Sequence, residues 1–217
     1  MNMETLNNKW LSTLKNYGTL KTYPSKTIIY QTDDLASSIY VVIKGRIRVY
    51  AITQDGEEIN YEVLSKGSLF GETCLLQNNK RPVNACTITE TVLLQISKNN
   101  LEKILLSYPE FDILFIKMIS ESHTRLCNEI RTRKEYNRYQ KVVYFLLDTT
   151  KEEIADKEIL NGVLPYTHQE IAYCTGLNRV TVSKVLSHLE KQGYIRMKYK
   201  HVQVLDRKAL EKEYKIK

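Results

Sequence analysis

The sequence predicts an α+β fold in three parts: an N-terminal double-stranded β-helix (a jelly roll), one long helix, and a C-terminal winged helix-turn-helix. Three observations carry this. Residues 21–97 are cut by glycines into short β-prone runs. From Leu101 onward the apolar spacing becomes helical. In residues 167–195 two short helical patterns meet at Gly176. The expected domains are residues 1–108, 109–137 and 138–217.

Taken in order, residues 1–20 suggest a short amphipathic helix on Leu6, Trp10, Leu11 and Leu14. Strands are expected at residues 27–30, 38–43, 46–52, 59–64 and 92–96. Gly45, Asp55-Gly56, Gly67 and Gly71 punctuate them. Many short strands joined by glycine turns argue for a barrel or jelly roll. Pro109 stands near a helix start, where its missing N–H costs little. That helix should run to about Asn137. Its Ile116, Ile119, His123, Leu126, Ile130, Arg133 and Asn137 are spaced 3,4,3,4,3,4, a coiled-coil pattern. These residues form a candidate dimer seam; packing on the chain's own barrel is the alternative. A further helix at residues 139–149 leads through a polar turn at Asn161-Gly162 to the last motif.

Thr167 followed by Glu170 is a capping box, in which each side chain satisfies the other's backbone N–H. Ile171 and Ala172 face inward on the helix it opens. Gly176 supplies the backbone freedom of a tight turn, and Asn178 is a good N-cap for the second helix. Val182, Val185, Leu186 and Leu189 form one apolar face. Arg179, Val180, Ser183, Lys184 and Ser187 fall largely on the other. That is where a DNA-reading helix carries its contacts. After Gly193, YIRMKYKHVQVLD gives two short β runs around Lys198, Tyr199, Lys200 and His201, a hairpin wing with a basic tip suited to phosphate. A pair of surface helices packed on a core is the plainer alternative.

Composition narrows the classes. The 217 residues are 42% hydrophobic, ordinary for a globular protein. No run approaches the ~18 apolar residues of a membrane span, and the N-terminus lacks a signal-peptide pattern. A cytoplasmic location is therefore expected, with no membrane partner. Residues 138–217 carry 15 Lys/Arg against 10 Asp/Glu, and residues 1–137 carry 17 against 15. The excess basic charge thus sits with the helix-turn-helix, as attraction to phosphate favours. Cys74, Cys86, Cys127 and Cys174 show no C-x-x-C spacing, so no zinc or thioredoxin-like motif is expected. Buried inert thiols are the default for them, and redox sensing through Cys74, Cys86 or Cys127 is the alternative. All four histidines lie outside the β region, which excludes a histidine metal cluster in the barrel. No metal, cofactor or catalytic residue is expected.

The order of β-roll, long helix and winged helix resembles the CRP/FNR family of bacterial transcription regulators. Two motifs carry the resemblance: IAYCTGLNRVTVSKVLSHLEKQGYI, similar to the family's helix-turn-helix, and GSLFGETCLL with RPVNACTITETVLLQI, similar to its phosphate-binding cassette. The resemblance implies a homodimeric DNA-binding regulator, not an enzyme. It also implies a cyclic-nucleotide-binding-like effector domain, double-stranded DNA with a palindromic site, and RNA polymerase as a further partner. In cyclic-AMP-binding members the cassette presents Gly, Glu, Arg and a hydroxyl residue. Gly71, Glu72 and Arg81 match, whereas Pro82 offers neither hydroxyl nor N–H. Positions that contact adenine in such members align with Leu126 and Cys127, which cannot make the expected strong hydrogen bonds. Glu72 and Arg81 are expected instead to pair and hold the cassette closed. An unidentified small effector other than cyclic AMP is the expectation.

On the DNA side the resemblance puts Arg179 near the start of the reading helix, where Arg can take a guanine edge. Lys184 stands where many members carry Arg. Val180 replaces a common Glu; it cannot accept from cytosine but can pack on a thymine methyl. Ser183 can donate to a base or phosphate. Thr167, Thr181, Lys198 and Lys200 are expected on phosphates. Two further readings stay open: a regulator without small-molecule effector, controlled by thiol chemistry or abundance, and a jelly-roll enzyme with a helical tail.

Overall fold

The computed structural model describes residues 8–75, 80–150 and 162–215. The expected contributions of Leu6 and Asn161 lie outside these residues. The chain divides into two compact units, meeting between Cys127 and Asn128.

The first unit opens with α1 (Asn8–Tyr17), followed by β1 (Gly18–Tyr23). The roll continues through β2 (Ile28–Tyr30), β3 (Ser38–Lys44), β4 (Ile47–Ile52), β5 (Glu58–Leu64), β6 (Leu69–Phe70), β7 (Asn84–Thr87) and β8 (Thr91–Ser97). Two four-stranded antiparallel sheets result, ordered β1-β8-β3-β6 and β2-β7-β4-β5. The alternation of β3 assigns its faces: Tyr40 and Val42 join the core between the sheets, while Ile39 and Val41 join a second core. Tyr30, Ile47, Val49, Leu64, Phe70, Ala85 and Leu93 complete the inner core. The second core packs the outer face of β3 and β8 against Leu14 of α1, Leu101 and Ile104 of α2 (Lys98–Ser107), and the long helix α3 (Pro109–Glu135).

Phe111, Leu114, Phe115 and Met118 of α3 are buried in that core, and Ile119 packs against it. Here the structure corrects the expected seam, because Ile119 serves its own roll. The exposed stripe of α3 is Ile113, Ile116, Ser120, His123, Cys127 and Ile130. Ile113, Ile116 and Ile130 are each more than 60% exposed. The stripe retains alternating spacings of three and four but is turned slightly around the helix. Apolar residues on both faces of α3 made the sequence pattern ambiguous.

The second unit contains the end of α3, α4 (Arg138–Thr149), β9 (Val163–Leu164), α5 (His168–Thr175), α6 (Arg179–Lys191), the hairpin β10 (Ile195–Lys198) and β11 (His201–Val204), and α7 (Arg207–Lys215). The hairpin forms a small sheet in the order β10-β11-β9. Val142, Val143, Leu146, Ile171, Val182, Leu186, Leu189, Ile195, Val202 and Leu210 make its core. Beyond the expected wing the chain adds α7, whose Leu210 is fully buried.

Gly45 illustrates how tightly the roll closes. It has φ +89°, and an added Cβ would lie 2.4 Å from the Glu90 carbonyl oxygen. Both the backbone and the space exclude a side chain. Gly45→Ala is therefore expected to destabilise the protein by about 3 kcal/mol or more, read as a lower urea midpoint by Trp10 fluorescence.

Candidate nucleic-acid interface and effector pocket

The reading helix is held by local chemistry at both ends. Thr167 Oγ1 accepts from Glu170 N at 3.2 Å, and Glu170 Oε2 accepts from Thr167 N at 2.6 Å, so the expected capping box is formed. Gly176 has φ 64°, the left-handed conformation that ends α5. Arg133, near the end of α3, lies against this turn; its Nε would be 3.5 Å from a Cβ at Gly176. Asn178 caps α6 by accepting from Thr181 N at 2.8 Å. Val182, Val185, Leu186 and Leu189 are buried, each contributing about 1.5–3 kcal/mol. This leaves one outward face, which carries Arg179, Val180, Ser183, Lys184, Ser187, His188 and Lys191.

Of the DNA-contact candidates, Arg179, Val180 and Lys184 stand exposed together on that face, and Val180 is 64% exposed. Val180 thus presents its methyl groups to solvent among basic side chains. Ser183 is already engaged: its Oγ lies 2.8 Å from His168 Nδ1. Burial, and then the Arg179 charge, hold the His168 ring below the ordinary imidazole value. A neutral ring can accept a hydrogen bond from the Ser183 hydroxyl. His168 was not among the sequence candidates; its place at the first turn of α5, facing α6, is visible only in the fold.

The wing turns at Tyr199-Lys200, between the paired Lys198 and His201. Lys198, Tyr199 and Lys200 are exposed, and Lys200 has φ 57°. A lysine in this region is strained. The Lys200 ammonium rests 5.2 Å from the Tyr199 ring centroid.

In the roll, the structure brings Gly71, Glu72 and Arg81 into one neighbourhood but not into the expected ion pair. Among the described residues no Glu72–Arg81 salt bridge forms. Arg81 is 2% exposed and donates to the Gly71 carbonyl at 2.7 Å, the Ser38 carbonyl at 2.6 Å and Thr73 Oγ1 at 3.4 Å. Its guanidinium carbon sits 4.2 Å from the Tyr30 ring centroid and 5.8 Å from that of Tyr40. Only Nε remains a buried donor without a partner. Gly71 makes the arrangement possible, since a Cβ there would meet Arg81 Nη1 at 2.8 Å. Burial raises the Tyr30 hydroxyl, with the Arg81 charge opposing it, so Tyr30 stays neutral. Pro82 is exposed beside the site.

The α3 candidates divide. Leu126 is half-buried and Cys127 exposed. Arg125 is the residue there that reaches the roll, 3.5 Å from Glu62 of β5. Cys127, two residues on, is turned about 200° around the helix and abuts His123 instead. All four cysteines are free thiols. Burial pushes the Cys74 thiol up, which makes it a poor nucleophile.

A cyclic-nucleotide-type roll and a winged helix with an exposed basic reading face define a DNA-binding regulator with a sensor domain. The comparisons agree. The cyclic nucleotide-binding domain family matches residues 20–108, and the Crp-like helix-turn-helix domain family matches residues 140–213. The chain belongs to the CRP/FNR family of transcription regulators. It is similar to the cyclic AMP receptor protein of Thermus thermophilus, 26% identical across 90% of this chain and 88% of that protein. The global nitrogen regulator of Synechococcus elongatus is 27% identical across 87% and 86%. Among solved structures, FixK2 from Bradyrhizobium japonicum shares the fold at TM-score 0.78 and 22% identity, over 90% of this chain and 96% of that one. TTHB099, a CRP-family regulator from Thermus thermophilus, gives 0.73 at 25% identity, over 89% and 96%.

The wing offers a clean separation of charge from folding. Lys200→Gly removes a cation but relieves the left-handed strain. It is expected to raise stability by about 1 kcal/mol while weakening DNA binding on every sequence and reducing the salt slope by about one. Thermal melts paired with fluorescence-anisotropy titrations at several salt concentrations check both halves.

Proposed function

We propose that two copies of the chain bind a palindromic DNA site as a homodimer, α6 of each entering a major groove. The exposed stripe of α3, with Ile113, Ile116 and Ile130 bare to solvent, supports the dimer, and its paired half-sites would then follow the protein's two-fold axis. Arg179 takes a guanine edge, Val180 packs on a thymine methyl and Lys184 contacts guanine or phosphate. Thr167, Thr181, Lys198 and Lys200 hold phosphates. Ser183, joined to His168, acts as a spacer between α5 and α6 and keeps its hydroxyl at the edge of the interface. The bound dimer works in the cytoplasm and acts on RNA polymerase. No catalysis is assigned to it.

Control comes from a small effector in the roll, other than cyclic AMP. The observation that carries this is Arg81. A cyclic phosphate is held by the two-pronged face of a guanidinium. Here both prongs bind main-chain carbonyls, and an aromatic ring covers the plane. Pro82 adds no hydroxyl or N–H. Displacing Arg81 would also leave the Gly71 and Ser38 carbonyls buried and unmet, at about 1–3 kcal/mol each. Coupling to DNA requires an element with two states that both sites bias. Helix α3 is the candidate: Arg125, past its middle, meets Glu62, and Arg133, about two turns further on, meets the Gly176 turn.

Selection from random duplexes is expected to return half-sites with A·T where many relatives demand G·C at the Val180 step. Recovery of a TGTGA-type half-site would defeat the assignment of Val180. Calorimetry of the intact protein with cyclic AMP is expected to show no binding below about millimolar, whereas a micromolar dissociation constant would defeat the reading of Arg81.

A further inference from the structure

The exposed stripe of α3 is not wholly apolar. Between Ile116 and Ile130 it carries His123 and Cys127, one helical turn apart, both exposed. The Cys127 Sγ lies 3.9 Å from both ring nitrogens of His123. In tetrahedral zinc, with Zn–N ~2.0 Å and Zn–S ~2.3 Å, the nitrogen and sulfur ligand atoms stand about 3.5 Å apart. The pair is thus already close to one edge of a coordination tetrahedron. Among the described residues of one chain, no three His, Cys, Asp or Glu side chains gather around a metal position. One chain supplies half a site.

The second half follows from the spacing. Ile113, Ile116, Ser120, His123, Cys127 and Ile130 alternate by three and four, the repeat of a two-stranded coiled coil. In a parallel pair each such residue faces its own counterpart across the axis. Two His-x-x-x-Cys edges then meet at one level, giving two imidazoles and two thiolates. That set suits zinc or another borderline-soft transition ion, and it explains polar, ligating residues where a seam would otherwise be apolar.

We propose that His123 and Cys127 of two copies form a shared His2Cys2 site for a tetrahedral transition-metal ion, zinc by donor type, on the axis of the dimer. This inference rests on the homodimer reading above. Binding forms two Zn–S and two Zn–N bonds; the two thiol protons pass to water, and the ion keeps its oxidation state. The metal would tie the two long helices together midway along the seam, making the dimer responsive to metal supply.

The test uses the full-length, reduced, metal-stripped protein, titrated with zinc against a chelating dye and with cobalt as a spectroscopic probe. Sedimentation is run on the same samples. The expected result is one ion per two chains, a tetrahedral cobalt spectrum with thiolate charge-transfer bands, and loss of both in His123→Ala and in Cys127→Ser. Cys86→Ser should leave uptake unchanged, and all variants should sediment as dimers at high protein concentration. A dimer that takes no stoichiometric zinc, one ion per chain, or uptake that persists in Cys127→Ser overturns the site alone. A chain that sediments as a monomer with and without zinc overturns the dimer reading together with it.

Discussion

The roll is organised around a cation with nowhere to go. Arg81 is sealed from solvent, and its charge must be met by whatever the fold supplies. It is met by carbonyls from β3 and from the turn after β6, with the Tyr30 and Tyr40 rings against its plane. These partners come from both sheets, so one side chain ties the sandwich together. Much else answers to it. Gly71 must lack a Cβ, Tyr30 must remain neutral, and the cassette must return Arg81 to this spot through its backbone bonds to Asp33 and Asp34. A residue type that serves ligands in relatives can, with its prongs occupied, serve the fold.

The DNA-reading unit depends on a different economy. Its helices are short, and α5 spans only 8 residues, too few to hold alone. Caps at Thr167 and Asn178 and the left-handed Gly176 fix where each begins and ends, while the buried face of α6 supplies the cohesion. Everything exposed on α6 is then free to be chosen for contact.

These differences explain what could be read in the chain and what could not. Capping boxes, the Gly176 turn and the apolar face of α6 are local patterns, and each is legible in the sequence. The longer strands were legible by alternation. Strands β1, β6 and β7 were not: β1 is mostly exposed, β6 has two residues, and β7 mixes Asn, Ala, Cys and Thr. Their identity comes from pairing partners distant in sequence. The same holds for the site. Arg179, Val180 and Lys184 were visible from spacing, whereas His168 beside Ser183, and Arg81 on carbonyls rather than on Glu72, depend on tertiary neighbours. On α3 the 3,4 spacing fits two adjacent stripes, and only the fold shows that Ile119 is taken by the roll.

Phe111, Leu114, Phe115 and Met118 have a consequence for how such a chain can be cut or recombined. They belong to the core of the roll although they lie in the helix that runs on toward the other unit. A sensor fragment ended at Tyr108 would lose four apolar side chains and present their sockets to water, inviting aggregation. One ended near Cys127 would keep its core sealed. Any exchange of sensors between regulators built this way must carry about five turns of helix along with the roll, so the natural unit of inheritance is longer than the β-domain that does the sensing.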